Sequence, residues 1–175
     1  SDLGFVKKLL QHIEGTNATL TSMIGRYYAM DRDKRWERIK KAYDLLTQGI
    51  GEYTSDPVTS LHQSYAKNIT DEFIEPYLLN RDKDLLIKNG DAVLFFNFRT
   101  DRPRQITEAL TQKEFPDQQM SPLNLDYVTM TDYDSTYKNV QVLFKTDNLN
   151  NTLGEVMESN GKTQLRMAET EKYPH

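Results

Sequence analysis

Cysteine is absent from the 175-residue sequence. Its absence excludes a disulfide scaffold, a thiolate zinc site and a cysteine nucleophile. The apolar runs are only a few residues long, whereas a helix needs about 20 apolar residues to cross a membrane. The three histidines are scattered and show no metal-ligand spacing. Phosphate-loop, dinucleotide-binding, zinc-protease and serine-hydrolase motifs are also missing, so the sequence offers no recognisable nucleophile or metal cage.

Acidic residues outnumber basic ones by 26 to 22, which gives a formal net charge of −4. An acidic chain disfavours a general nucleic-acid binder, but it leaves room for a local cationic site that holds a small anion. The length indicates one domain, or one domain with a piece of another. The 10 tyrosines, 7 phenylalanines and 1 tryptophan argue against disorder.

Apolar periodicity predicts an alternation of helices and strands. Helical spacing is found over residues 3–14, 36–47, 57–66, 102–112 and 152–159. Strand-like stretches are found over residues 18–24, 85–87, 92–96, 125–130, 140–144 and 164–168. Asn89–Gly90 lies between two apolar runs and predicts a hairpin. The order of elements favours an α/β fold, with a layered sheet of mixed and mostly parallel strands and helices on both faces.

A charged segment from Gly25 to Trp36 joins a predicted strand to a predicted helix. In α/β folds such junctions line the crevice where ligands bind. Arg26 and Arg32 are candidate ligand arms, because a guanidinium offers a planar fork that matches carboxylate or phosphate oxygens. The alternative is a solvated basic helix start in which Asp33 and Glu37 pair locally with the cations.

A second charged segment, from Phe95 to Arg104, again joins a buried strand to a helix. Pro103 places the helix start near that residue, so the free amides of the first turn can face an anion. Arg99 and Arg102 flank this point. Two cations beside the positive end of a helix are more easily tolerated when an anion lies between them. The alternative is that both pair with Asp101 or with other carboxylates.

A third segment lies at the end of the chain, from Ala168 to His175. Taken alone, it is an ordinary polar strand end, and Lys172 between two glutamates is typical of a surface residue. The first two segments provide candidate binders for an anion, and the sequence shows no chemistry to act on it. The sequence therefore predicts half of an active site.

The same three segments resemble the cofactor-independent phosphoglycerate mutases, the 2,3-bisphosphoglycerate-independent kind. Gly-Arg-Tyr-Tyr-Ala-Met-Asp-Arg-Asp-x-Arg-Trp is intact from Gly25 to Trp36, Asn-Phe-Arg-x-Asp-Arg from Asn97 to Arg102, and Ala-Glu-Thr-Glu-Lys-Tyr from Ala168 to Tyr173. The motifs follow one another in the family's order and cover essentially the whole chain. Pro174 departs from the pattern, where a small residue is expected.

The resemblance implies a two-domain enzyme of the alkaline phosphatase superfamily. Its phosphatase-like domain carries two metal ions, usually manganese, and a serine nucleophile, and its substrate-binding, or phosphotransferase, domain is inserted into the first. Residues 1–147 would then be the substrate-binding domain without its N-terminal part. Residues 148–175 would be the linker and the start of the return into the phosphatase-like domain.

The implied reaction interconverts 3-phosphoglycerate and 2-phosphoglycerate through a phosphoserine, in the cytoplasm, in glycolysis and gluconeogenesis. By the resemblance, Arg26, Arg32, Arg99 and Arg102 fall on the family's substrate-binding arginines and Lys172 on its phosphate-binding lysine. The chain alone is expected to be inactive, and the whole enzyme to be a monomer.

Two other functions stay open from the residues themselves. One is a freestanding phosphate- or carboxylate-binding module without catalysis. The other is nucleic-acid binding through the basic run from Arg32 to Lys41, which the net charge disfavours.

Overall fold

A computed structural model of the chain describes residues 2–145, 150–165 and 167, which alternate between helices and short strands. The helices are α1 (Asp2–Ile13), α2 (Arg26–Ala29), α3 (Trp36–Gln48), α4 (Pro57–Ala66), α5 (Arg104–Thr111) and α6 (Leu153–Ser159). The strands are β1 (Ser22–Met23), β2 (Glu52–Tyr53), β3 (Tyr77–Leu78), β4 (Ala92–Phe95), β5 (Asp126–Thr131) and β6 (Val140–Phe144). All the helices predicted from periodicity are therefore present, and α2 is an additional one.

The described strands form two small sheets rather than the single layered sheet expected from the sequence. The first has the order β1-β3-β2, with β1 antiparallel and β2 parallel to β3. The second has the order β4-β5-β6, and both of its pairings are parallel. The α/β class and the mostly parallel pairing are confirmed.

The hairpin predicted at Asn89–Gly90 is wrong. The apolar run before the turn is not a strand: Lys83–Leu85 forms a 3₁₀ turn, and the amide of Ile87 donates to the carbonyl of Leu46 in α3 at 2.9 Å. The turn itself is bonded to Asn124, which accepts from the Gly90 amide and donates to the Asn89 side chain, both at 2.7 Å. The Asn-Gly turn thus aligns β4 with the start of β5, and the two strands run parallel.

Helices α3 and α5 pack against the parallel sheet and form the main core. Its fully or nearly fully buried members are Ile39, Ala42, Tyr43, Ile106, Ala109, Leu110, Phe115, Met120, Leu125 and Tyr127. A smaller cluster of Leu61, Ile74 and Tyr77 lies under α4. Burial of these apolar faces is the main stabilising term for the two layers. The helical periodicity predicted over residues 36–47 and 102–112 thus corresponds to two helices that each bury one face.

Local signals place several helix ends. Asp56 caps α4 through hydrogen bonds from the amides of Val58 and Thr59, and Thr152 forms a capping box with Glu155 at the start of α6. These interactions fix where each helix begins.

The structure describes only part of the C-terminal region for which the sequence makes predictions. The strand predicted over 164–168 is not seen at the described residues 164, 165 and 167, and the rest of that stretch lies outside the description. The boundary predicted between residues 147 and 148 also falls outside the described residues. Within those residues, no helix combines the length and apolar character needed to cross a bilayer.

Candidate anion-binding site

The first turn, residues 25–36, leads from β1 into α3. Gly25 precedes the single turn of α2, and its amide donates to the carbonyl of Ile74 at 2.8 Å. A Cβ at this position would overlap the carbonyl of Glu72 and lie 2.6 Å from the nitrogen of Ile74. Only glycine fits between α2 and the segment around residue 73, so the start of this turn has a fixed position.

The buried side chain of Asp31 holds the backbone of the first turn. Its residue is 3% exposed, and its Oδ2 accepts from the amides of Asp33 and Arg35, each at 2.9 Å. Its Oδ1 accepts from Nη1 of Arg38 at 3.2 Å, and the Arg38 guanidinium stacks 3.7 Å from the centre of the Tyr27 ring. A charged acceptor on two backbone amides is a strong constraint. Asp31 therefore holds the backbone that carries Arg32.

The second turn, residues 97–102, follows β4 and leads into α5. Its backbone carbonyls are held by hydroxyls from the end of β5 and the loop beyond it. Tyr133 Oη donates to the carbonyls of Phe95, at 3.0 Å, and Asn97, and Thr131 Oγ1 donates to that of Phe98 at 2.6 Å. Burial raises the pKa of the Tyr133 phenol to about 12, so the hydroxyl keeps its proton at neutral pH.

The two turns touch each other at Met30 and Arg32. Nη1 of Arg32 lies 2.9 Å from Oδ2 of Asp101, and Nη1 of Arg102 donates to the carbonyl of Met30 at 3.1 Å. The Asn97 amide lies 3.6 Å from the Met30 sulfur. Residues far apart in the chain are thus brought to one place, although the strands that precede the two turns belong to different sheets.

Asp101 is the charged link between the turns. Although partial burial raises the pKa of Asp101, hydrogen bonds from Arg32 and from the backbone hold it below its ordinary value. The carboxylate is therefore ionised at neutral pH, and Arg32 has an anionic partner already in place. The sequence left Asp101 as a possible partner of Arg99 or Arg102, whereas the structure pairs it with the arginine of the other turn.

Two of the four predicted arginines, Arg26 and Arg32, each border a cleft. Arg26 lines a cleft of about 530 Å³ together with Met30 and Glu72, and it pairs with Glu72 at 2.9 Å. Arg32 lines a cleft of about 420 Å³ together with Asp101 and Gln105. Met30 lines the first of these clefts and Arg32 lines the second, so the first turn borders both clefts.

Two of the predicted residues differ from this pattern. Arg99 belongs to the second turn, but its side chain is exposed and lines neither cleft. Lys172 lies outside the described residues. The structure therefore brings Arg32 and Arg102 to a common turn and places Arg26 on a neighbouring cleft. It does not gather the four guanidinium groups around a single cavity.

The sequence profile described as "BPG-independent PGAM N-terminus" matches residues 1–135. The chain belongs to the BPG-independent phosphoglycerate mutase family. The family predicted by the resemblance is thereby confirmed.

Curated relatives carry the same family name over the full chain. A 2,3-bisphosphoglycerate-independent phosphoglycerate mutase of Flavobacterium psychrophilum is 57% identical over 178 residues, which are 100% of this chain and 35% of that protein. One from Bacteroides fragilis is 49% identical over 176 residues, again 100% of this chain and 35% of the relative. The chain thus spans about a third of the length of the mutases it matches.

A solved structure supports the fold. The phosphoglycerate mutase of Leishmania mexicana, in crystal structures determined at low cobalt concentration, superposes with a TM-score of 0.74. The match covers 92% of this chain and 32% of that one, at 24% sequence identity. At this identity the likeness shows that this mutase-family chain shares the fold.

No metal site is formed by the described part of this mutase-family chain. Within residues 2–145, 150–165 and 167, no three His, Asp or Glu side chains are grouped closely enough to hold a metal ion. The residues that carry the site are instead cations and their carboxylate partners. This donor set fits an anionic ligand and does not fit a divalent cation.

Sequence reasoning missed Asp31 and the hydroxyls of Thr131 and Tyr133. Asp31 lies in the first motif, where the sequence does not distinguish it from the other charged residues. Its burial depends on the packing of α3 over the turn. A buried tyrosine after a strand is likewise common in any α/β core. The signal that was available for Asp31 is its position two and four residues before amides that precede a helix, which is typical of a turn-capping aspartate.

Proposed function

We propose that this chain is the substrate-binding, or phosphotransferase, part of a 2,3-bisphosphoglycerate-independent phosphoglycerate mutase. The enzyme interconverts 3-phosphoglycerate and 2-phosphoglycerate in glycolysis and gluconeogenesis, in the cytoplasm, through a phosphoserine. The observation that carries the proposal is the contact between the two turns, where Arg32 reaches Asp101 and Arg102 reaches the Met30 carbonyl. It supports a small acid held between residues of both motifs.

The role of the arginines follows from the reaction. A mutase of this kind must hold the carboxylate of glycerate while its two hydroxyls exchange places. Guanidinium forks suit this task, because they grip a carboxylate in a fixed plane and leave the hydroxyls free. Positioning of this sort supplies much of what phosphoryl transfer requires of a protein.

The carboxylate partners keep the arginines in place when no substrate is bound. Arg26 is held by Glu72 and Arg32 by Asp101, in both cases at 2.9 Å. These pairs are partly exposed, so each contributes only about 0–1 kcal/mol and yields readily to a competing anion. We expect the substrate carboxylate to exchange with one of them rather than to enter an empty cationic pocket.

The chemical step is assigned to the rest of the enzyme. By the family resemblance, the serine and two manganese ions belong to the phosphatase-like domain, and Lys172 binds the phosphate near the domain interface. The chain alone is then expected to be inactive. The proposed division is a substrate-binding domain over residues 1–147 and a linker with the start of the return over residues 148–175, within an enzyme that acts as a monomer.

The decisive experiment is Arg102→Ala in the full-length enzyme, with mutase activity as the readout. Removing a charged donor at the site is expected to lower kcat/KM by about 100-fold or more. The matched control is Arg81→Ala, since Arg81 stacks on Tyr53 at 3.8 Å away from both turns. Unchanged kinetics for Arg102→Ala, or an equal loss for Arg81→Ala, would contradict the assignment.

A further inference from the structure

Residues 25–28 of the first turn lie against residues 72–75, which we call the facing segment. Successive residues of the two stretches meet in pairs: Gly25 with Ile74, Arg26 with Glu72, Tyr27 with Phe73, and Tyr28 with Glu75. The first pair is a backbone hydrogen bond, the third brings two aromatic rings to 5.0 Å between centroids, and the other two involve a carboxylate. The facing segment therefore contacts the stretch that carries Arg26 along its whole length.

Helix α2, which begins at Arg26, cannot hold its own orientation. It is four residues long, no side chain caps its start and none of its residues is buried. A helix of a single turn gains too few hydrogen bonds to offset the cost of nucleation. The direction in which Arg26 points therefore depends on the side chains that tie α2 to its neighbours.

Glu75 ties α2 to α3. Its Oε1 accepts from the Tyr28 hydroxyl, and its Oε2 accepts from Nζ of Lys41 at 2.8 Å. The same ammonium lies 4.5 Å from the centre of the Tyr28 ring, so each of the three groups contacts the other two. We call this arrangement the Glu75 bridge. Since Lys41 belongs to the 13-residue helix α3, the bridge fastens the short helix to a long one.

The Glu75 bridge has a fixed pattern of charge at neutral pH. Partial burial raises the pKa of Glu75, but hydrogen bonds from Lys41 and Tyr28 outweigh this and hold the pKa below its ordinary value. Burial and the neighbouring carboxylate raise the pKa of the Tyr28 phenol to about 12. A protonated phenol therefore donates to an ionised carboxylate, and a hydrogen bond of this kind is roughly twice as strong as one between neutral groups.

Glu75 and Arg26 face different clefts. Arg26 and Glu72 line the cleft of about 530 Å³, whereas Glu75 and Lys41 line another, of about 330 Å³. Under the proposed function, a substrate carboxylate displaces Glu72 from Arg26. Helix α2 then loses one of its contacts, while the Glu75 bridge, on the other cleft, stays intact.

We propose that Glu75 is a positioning residue for Arg26, acting through Tyr28, and that it keeps Arg26 directed at its cleft once substrate has displaced Glu72. The inference rests on the proposed function, in which Arg26 binds the substrate. Glu75 itself touches no substrate atom in this scheme. Loss of the bridge lets α2 turn and weakens the grip on substrate and transition state alike, so KM should rise while kcat changes little.

The test compares the loss of a single oxygen atom at two tyrosines of the full-length enzyme. Tyr28→Phe removes the oxygen that binds Glu75 and is expected to raise KM for 3-phosphoglycerate about 5-fold, with a change in kcat below about 2-fold. The matched control is Tyr43→Phe, because the Tyr43 hydroxyl donates to the carbonyl of Ser121 at 2.6 Å beside the main core. Its loss should lower the urea midpoint of unfolding and leave KM unchanged.

Variants at Glu75 separate its link to Tyr28 from its link to Lys41. Glu75→Ala removes both acceptors and should raise KM as much as Tyr28→Phe does. Glu75→Gln keeps a carbonyl oxygen for Tyr28 and should bring KM to within about 2-fold of wild type. In an Arg26→Ala background, Tyr28→Phe should add nothing to KM, because the residue it positions is gone.

Three results would overturn the inference: an unchanged KM for Tyr28→Phe, an equal rise for Tyr43→Phe, or a further rise when Tyr28→Phe is added to Arg26→Ala. An Arg26→Ala variant with the KM of wild type overturns it too, while the proposed function, which is tested at Arg102, stands. Should Glu75→Ala fail to fold, Tyr28→Phe and Glu75→Gln test the same link with smaller changes. A full-length wild-type enzyme without mutase activity refutes the proposed function and this inference with it, whereas an active enzyme whose KM ignores Tyr28→Phe refutes this inference alone.

Discussion

The two arginine-bearing turns are held in place by groups of opposite polarity. In the first turn, the Asp31 carboxylate accepts hydrogen bonds from backbone amides. In the second, the neutral hydroxyls of Thr131 and Tyr133 donate to backbone carbonyls. Both turns follow a strand and lead into a helix, but the held backbone groups differ: they are amides in the first turn and carbonyls in the second. One side of the site therefore depends on a buried charge and the other does not.

This contrast predicts unequal tolerance to change. A buried carboxylate is satisfied only while its cationic partner and its amides stay in place, and removing it leaves Arg38 uncompensated. Removing a hydroxyl, in contrast, leaves only neutral backbone carbonyls without a donor. The first turn is thus the more fragile of the two, and the following changes test that ranking.

The largest effect is expected from Asp31→Ala in the full-length enzyme. It should lower the free energy of unfolding by about 3–5 kcal/mol, because it breaks a buried pair and frees two amides. Asp31→Asn should cost less, since it keeps an acceptor for the amides. Unfolding in urea measures the stability, and KM for 3-phosphoglycerate should rise as Arg32 loses its support.

The control for Asp31 is Asp44→Asn. Asp44 is also buried and is bonded to Lys40 and Gln48, at the far end of α3. It should affect stability without affecting KM. A double variant of Asp31→Asn with Arg32→Ala should have the KM of Arg32→Ala alone if Asp31 acts through Arg32. Additive effects on KM, or equal KM values for the Asp31 and Asp44 variants, would contradict the positioning role.

A smaller effect is expected from Tyr133→Phe. The ring keeps its edge contact with Phe95, at 5.9 Å between centroids, but two carbonyls lose their donor. The expected loss is about 1–3 kcal/mol in the free energy of unfolding, with a modest rise in KM. Tyr127→Phe is the control, because its hydroxyl bonds Thr107 within the core, at 3.2 Å. A rise in KM for Tyr127→Phe equal to that for Tyr133→Phe would show that the second turn is not held in this way.

The smallest effects are expected in the pH dependence of folding stability. Stability falls toward acid pH because of Asp101 and toward alkaline pH because of Tyr133. The lowered pKa of Asp101 means that its pairing with Arg32 contributes stability above its ordinary pKa of 3.8, and loses it as the pH falls through the folded value. The raised pKa of Tyr133 means that stability is lost instead as the pH rises past 10.0, its ordinary value.

Thermal unfolding measured across the pH range gives both the acid limb and the alkaline limb of the curve of stability against pH. Asp101→Asn should flatten the acid limb and leave the alkaline limb unchanged. Tyr133→Phe should do the reverse. If both variants altered the same limb, the assignment of the acid limb to the pair of Asp101 with Arg32 and of the alkaline limb to the Tyr133 hydroxyl would be wrong.

Much of the helical framework could be predicted because its signals are local. The apolar period of α3 and the Asp56–Pro57 start of α4 depend only on neighbouring residues. Strands β2 and β3 are two residues each, too short for any alternation to be recognised. The Asn89–Gly90 signal was correct about a turn and wrong about the pairing, because the register of a sheet depends on residues such as Asn124 that lie far along the chain.

The site shows the same division between local and distant information. The arginines stand out by residue type and by their place at strand ends, so the sequence could nominate both turns. The contacts between the turns could not be predicted, since Arg32 had nearer carboxylates in the chain than Asp101. The burial of Asp31 likewise follows from how α3 lies over the turn, which no spacing reveals.

The glycine at the head of the first turn sets the width of the Arg26 cleft. Gly25 forms one wall of that cleft and Glu72 forms another, and the two backbones approach so closely that a single methyl group would force them apart. Gly25→Ala would therefore act as a wedge, opening the cleft and drawing Arg26 away from its carboxylate. The absence of a Cβ atom at Gly25 therefore determines where the Arg26 side chain lies.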